Sequence, residues 1–182
     1  MNYLCSMVSK KKNNIRLASF DDTKVVGINS GLVDYKLAWN INRKLSIDLA
    51  RQDDLMFDDA VYSFFYYNAG ENSSVFNLVS TRFYDKFLLD YSPRLDYLLI
   101  IRNETSRDRL EAVIQSLREI EGMGHAFFLD INKGNAVKNV LEMLELHEVL
   151  LSEKSKRTNS VEYIKEDLMK KAVFLGVDGL SV

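Results

Sequence analysis

Several groups of residues have the types and spacing that could do chemistry. The adjacent pairs Asp21-Asp22, Asp53-Asp54 and Asp58-Asp59 offer carboxylate oxygens of the kind hard cations such as Mg²⁺ take as ligands. The ligand order of an EF-hand is absent, and adjacent aspartates in loops serve turns and solvation, so no metal is assigned. Lys133, Gly134 and Asn135 occupy a strand-to-helix junction, where helix amides beside a lysine suit a phosphate. That loop lacks the glycines and the Lys-Ser/Thr of a Walker loop, so turn-and-cap chemistry is the competing reading. His125 and His147 have no Gly-x-Ser-x-Gly elbow or paired cysteine to work with, and Cys5, the single cysteine, stands in the N-terminal segment. Glu142, Glu145 and Glu148 recur every three residues and read as the wet edge of a helix. No catalytic residue, cofactor or metal is assigned from these groups.

The elements that must position these residues follow from hydrophobic periodicity. Residues 24–29 read as a strand, and Ile15 to Ser19 as a second strand or a continuation across a bend. Val33, Leu37, Ile41 and Leu45 recur every four residues, which predicts a helix over 32–46, with Trp39 off the stripe and packed against a neighbouring sheet. Val61 to Tyr67 and Ser74 to Phe83 read as a long antiparallel hairpin around Ala69 to Ser73. The uninterrupted run Tyr97-Leu98-Leu99-Ile100-Ile101 predicts a central strand covered on both faces. Thr105 and Asp108 resemble a capping box for a helix carrying Leu110, Val113, Ile114 and Leu117 and ending at Gly122. Ala126 to Ile131 reads as a second buried strand, able to lie parallel to the first through a crossover.

A last helix, capped by Asn135, carries Val137, Val140, Leu141, Leu144 and Leu151. Its extra apolar residues at Met143, Leu146, Val149 and Leu150 call for a second packing surface. Ser152 to Ser160 reads as a polar linker, after which Val161, Ile164, Leu168, Ala172 and Leu175 fall on one face of a tail helix, placed to fold back or to meet a second subunit. The expected fold is a single α+β domain over 14–152. It holds a mostly antiparallel sheet of five or six strands with helices packed mainly on one face, and a ferredoxin-like βαββαβ core with an extra strand is a permitted variant. Residues 1–13 form an expected disordered arm and 153–182 a linker with a C-terminal amphipathic helix.

Composition narrows the function classes. The chain's 182 residues hold 24 Lys+Arg against 26 Asp+Glu, a formal net charge of -2, so no positive field recruits nucleic acid or anionic lipid. The aromatic run Phe64 to Tyr67 lacks interleaved basic residues and the RNP pattern, which disfavours base stacking. The segment before Lys10 is too short in apolar residues for a signal peptide, and no stretch approaches the ~20 needed to span a bilayer, so the expected compartment is the cytoplasm. Met7 is an expected alternative start.

Taken in order, Val25 to Ile28, Asp34 to Asn42, the aromatic hairpin and Leu95 to Ile100 resemble the IPExxxVDY family of Bacteroidetes over residues 14–152. The naming motif falls on Leu89 to Tyr97, with Leu89, Leu95, Asp96 and Tyr97 at its motif positions and Asp90 and Tyr91 at the Pro and Glu positions. The resemblance implies a bacterial cytoplasmic protein and hands over no catalytic residue. Asp96-Tyr97 reads physically as an anchor where a buried strand begins, the carboxylate on nearby amides and the ring in the core. The leading expectation is a non-enzymatic protein-interaction or scaffold domain, with a protein partner or self-association and no membrane. The alternative is a small-ligand or nucleotide-binding protein, enzymes included, that uses the loop at Lys133, Gly134 and Asn135.

Overall fold

The structure is a computed structural model that describes residues 20–70, 73–133 and 135–174, with side chains described as far as Lys156. The expectations for the arm 1–13, the strand at 15–19, Cys5, Gly134 and Leu175 lie outside the described residues. In chain order the elements are β1 (Thr23–Ser30), α1 (Asp34–Leu45), β2 (Ala50–Arg51), β3 (Leu55–Phe57), β4 (Ala60–Tyr62), β5 (Phe64–Asn68), β6 (Val75–Ser80), β7 (Arg82–Phe83), β8 (Lys86–Phe87), β9 (Tyr97–Arg102), α2 (Arg107–Arg118), β10 (Met123–Leu129) and α3 (Ala136–Phe174).

Six strands form one sheet in the order β10-β1-β9-β6-β5-β2, every neighbour antiparallel. Because β1 lies between β9 and β10, those two run in the same direction without touching, and α2 is the crossover between them. Together β1-α1-β6-β9-α2-β10 make the split βαββαβ arrangement, with β5 and β2 widening it at one edge.

The period-2 alternation of the strands sends their side chains into two cores. Val26, Ile28, Leu99 and Ile101 pack with Leu37 and Ile41 of α1 and Leu110, Ile114 and Leu117 of α2. Val25, Leu98 and Ile100 face the other way, onto Val137, Val140, Leu141 and Leu144 of α3, onto Tyr62 of the small hairpin β3-β4 and onto Leu88, which follows the small hairpin β7-β8. The central strand β9 is therefore covered on both faces, as its apolar run predicts. Two of the three described helices share one face, and α3 closes the face that is open in a bare βαββαβ sheet.

Local chemistry explains where boundaries shift from their expected places. Ser63 splits the stretch from Val61 to Tyr67: its amide donates to Ser80 Oγ at 2.8 Å and its carbonyl accepts from Ser80 N at 3.0 Å, so β4 and β5 serve different sheets. The strand expected at 126–131 begins at Met123 and is a sheet edge, not a buried strand, with Phe128 40% exposed. Trp39 is 56% exposed on α1 beneath the Arg43 guanidinium, 4.7 Å from its ring centroid, and does not pack on the sheet. The cap of α2 is Ser106, whose Oγ accepts from Arg109 N at 3.4 Å, not Thr105; Glu104 holds Ser106 in place by accepting its amide at 2.9 Å. Finally, the segment from Ser152 to Ser160 is no linker. α3 runs unbroken to Phe174, since no Gly or Pro interrupts residues 136–174.

Candidate interaction surface

α3 is seated on the sheet by an apolar row and by one polar cluster. Asn77 stands in the middle of β6, 0% exposed, opposite Tyr66 and Ile100. Its amide nitrogen donates to Glu148 Oε1 of α3, and its oxygen accepts from Arg102 Nη2 at 3.1 Å. Arg102 Nη2 also donates to Glu148 Oε1, completing a three-membered network, while the buried Arg102 Nε has no hydrogen-bond partner. Such a network can form at only one axial position of α3, so it fixes the helix's register on the sheet, as polar groups inside helix interfaces do. Glu145, one turn before Glu148, is pushed above the usual carboxylate range by burial; Arg102 opposes that shift, and Glu148 and Glu142 add to it. Glu145 and Glu148 are therefore not the wet edge their spacing suggested.

Further along, α3 is tied to the loop after β2. Lys154 Nζ donates to Asp53 Oδ2 at 2.5 Å, which holds the Asp53 carboxyl below its usual range. His147 Nε2 lies 3.0 Å from the Asp53 carbonyl, and its ring stands edge-on to Phe64 at 5.0 Å. Between α3, Tyr66, Gln52 and Arg102 lies an open groove of about 690 Å³. With its inner face fixed in this way, α3 turns Leu146, Val149 and Leu150 outward, 62%, 55% and 55% exposed. The surplus apolar residues of the sequence thus lie on the solvent side, and Met143 packs partly into the core.

Leu95 and Asp96 lead directly into β9, which begins at Tyr97. Leu89 and Leu95 are buried on the α3 side of the sheet. Asp96 Oδ2 accepts from Ser30 N at 3.0 Å and its own amide donates to Ile28 O at 2.9 Å. Tyr97 is buried, its hydroxyl donates to Leu32 O at 2.8 Å, and burial, with help from Asp34 and Asp96, pushes its pKa up to about 12. This is the anchor anticipated for Asp96 and Tyr97, and its partners are all structural.

The candidate ligand loop is not assembled into a pocket with the groove. Lys133 and Asn135 are exposed; Lys133 N donates to Asp130 O at 3.1 Å, and Asn135 O accepts from Asn139 N at 2.9 Å. The acidic pairs have local duties. Asp58 and Asp59, with φ of 49° and 57°, form the tight turn between β3 and β4, and Asp54 accepts from Arg51 Nη2 at 2.6 Å. Among the described residues no group of three or more His, Cys, Asp or Glu is placed to hold a metal ion. His125 is exposed on β10. Of the aromatic run, Phe64 and Phe65 are buried and Tyr66 and Tyr67 half-buried, so it is no open stacking platform.

The residues that sequence reasoning missed are Asn77 and Arg102. Asn77 alone interrupts Val75-Phe76-Asn77-Leu78-Val79, a visible signal that a polar partner must meet it inside the core. A scan against protein-family models finds no match, and neither do comparisons with curated proteins or with solved structures. No helix among the described residues is long and apolar enough to cross a membrane.

Proposed function

We propose that this protein is a protein-interaction module whose binding element is the outer face of α3. The observation that carries this reading is the exposure of Leu146, Val149 and Leu150 on a helix whose opposite face is locked to the sheet by Asn77, Arg102 and Glu148. An apolar stripe of this kind is how helices meet partner helices. The sequence offers a tail helix as its cover, either folding back or meeting a second subunit. An unbroken α3 cannot lie against its own outer face, so the cover comes from elsewhere.

A photo-crosslinking residue placed at Leu150 of the full chain, in cells, tests the reading. The expected result is an adduct of one defined mass at position 150 and none from the same group at Arg107, on the exposed side of α2. No adduct at 150, or the same smear from both positions, overturns it. A second reading, small-ligand binding, has the groove bounded by Tyr66, Arg102 and the desolvated Glu145 in its favour, in place of the loop at Lys133. A small mass that stays with the protein in native mass spectra and is lost in Tyr66→Ala, but not in Lys133→Ala, would support it.

A further inference from the structure

We infer that Arg118 closes the β10 edge of the sheet to strand addition and so keeps a second copy of this chain from pairing there. The inference is independent of the reading of α3. It starts from the difference between the two edges. β2, at one edge, is two residues long and carries Arg51, whose guanidinium is held by Asp34 and Asp54. A short, charged strand is a poor template for a further one. β10, at the other edge, is seven residues long, and Met123-Gly124-His125-Ala126-Phe127-Phe128-Leu129 holds no Lys, Arg, Asp, Glu or Pro. Gly124, His125 and Phe128 are exposed along it. By length and composition it is the kind of edge that recruits other strands.

The register shows which of its backbone groups are open. Ile28 of β1 pairs with Ala126 on one side and Tyr97 on the other, and its carbonyl accepts from Asp96 N at 2.9 Å. The backbone groups of Ile28 therefore face β9 and not β10. In an antiparallel ladder the residue opposite such a position points its own N–H and C=O away from its neighbour, and the pattern repeats every second residue. Ala126 and Phe128 thus turn their N–H and C=O out of the sheet. Arg118 acts at the first of these: its Nε donates to Ala126 O at 3.1 Å. An added strand would bring its own amide nitrogen to the same place, since an inter-strand N–H···O bond is about 2.9–3.0 Å long. Leu117, 0% exposed, and Ile114 seat the last turn of α2 in the core, so Arg118 leaves the helix already beside β10. Its guanidinium stands in the middle of the edge, a cation where an incoming backbone would have to lie.

Sedimentation velocity and amide hydrogen exchange of the purified full chain test this. Arg118→Ala is expected to form assemblies larger than the parent's, with the Ala126 and Phe128 amides exchanging severalfold more slowly than in the parent. Adding Phe128→Lys to Arg118→Ala is expected to return both readings to those of the parent, because a lysine on an edge strand resists pairing. Arg118→Met, similar in length but without a donor, gives the same reading, and urea unfolding shows which variants are folded. A folded Arg118→Ala or Arg118→Met that sediments like the parent overturns the inference. So do assemblies that survive Phe128→Lys, or that leave the Ala126 and Phe128 amides exchanging as in the parent, because the new contact then lies elsewhere.

Discussion

At the scale of single residues, the most consequential group is the Asn77-Arg102-Glu148 network, because a polar cluster under a helix is tolerated only while all its members are present. Glu148→Ala leaves Arg102 and Asn77 without their shared acceptor and is expected to cost roughly 2 kcal/mol in urea unfolding. The triple replacement Asn77→Leu, Arg102→Met, Glu148→Leu recovers most of that loss; a Glu148→Ala variant as stable as the parent would show that the network does not hold α3. Glu104 supplies a pH test. The Ser106 amide above all, then the Ser74 hydroxyl and Arg109, hold its carboxyl below the usual value of 4.5, against the opposing effect of burial. A depressed carboxylate contributes stability that is present above its unfolded pKa and is lost as pH falls through the lowered folded value. Stability of the parent should therefore fall below about pH 4.5 more steeply than that of Glu104→Gln, as measured by urea unfolding at a series of pH values. Asp96 and Tyr97 were legible as an anchor because an acid and an aromatic before an apolar run have few other uses. The polar network was not, since its members lie 25 and 46 residues apart and only the fold joins them.

Among the elements, the sequence was most informative where burial is symmetric and least where it is one-sided. The run Tyr97 to Ile101 has to be covered on both faces, and β9 lies between β1 and β6. The run Ala126 to Ile131 looks the same in composition, yet β10 is an edge, because strand order depends on crossovers that periodicity does not encode. The α2 cap shows local competition: Thr105 and Ser106 are both eligible, and Glu104, by accepting the Ser106 amide, decides between them. Ser106→Ala is accordingly expected to lower thermal stability by about 1 kcal/mol and Thr105→Ala by distinctly less, in parallel melts. The reverse order would place the cap where the sequence first put it. For α3, the high charge between Ser152 and Ser160 suggests a linker, although charged residues without Gly or Pro propagate a helix well. Ser155→Pro should therefore reduce helical circular dichroism well beyond the loss of one turn and leave the domain's unfolding transition in place; an unchanged spectrum would count against a continuous α3.

For the molecule as a whole, the split βαββαβ sheet has one face filled by α1 and α2 and the other sealed by α3, so aromatic residues that would be available for stacking on an open sheet become core. What remains outward among the described side chains is the solvent face of α3, a helix about 58 Å long at 1.5 Å per residue, where Leu146, Val149 and Leu150 are exposed. That surplus of apolar residues was visible in the sequence; its direction was not, because whether a wide stripe faces the core or the solvent depends on where Asn77 and Arg102 hold the helix. Sedimentation velocity of the full chain, taken at native level from the cells that make it and kept at low salt, tests the interaction reading most directly. The parent should sediment in a complex heavier than its 21.0 kDa chain mass, and Leu146→Glu with Leu150→Glu should sediment as a monomer with an unchanged unfolding midpoint. A parent that stays monomeric throughout, or a complex indifferent to those two substitutions, would contradict it.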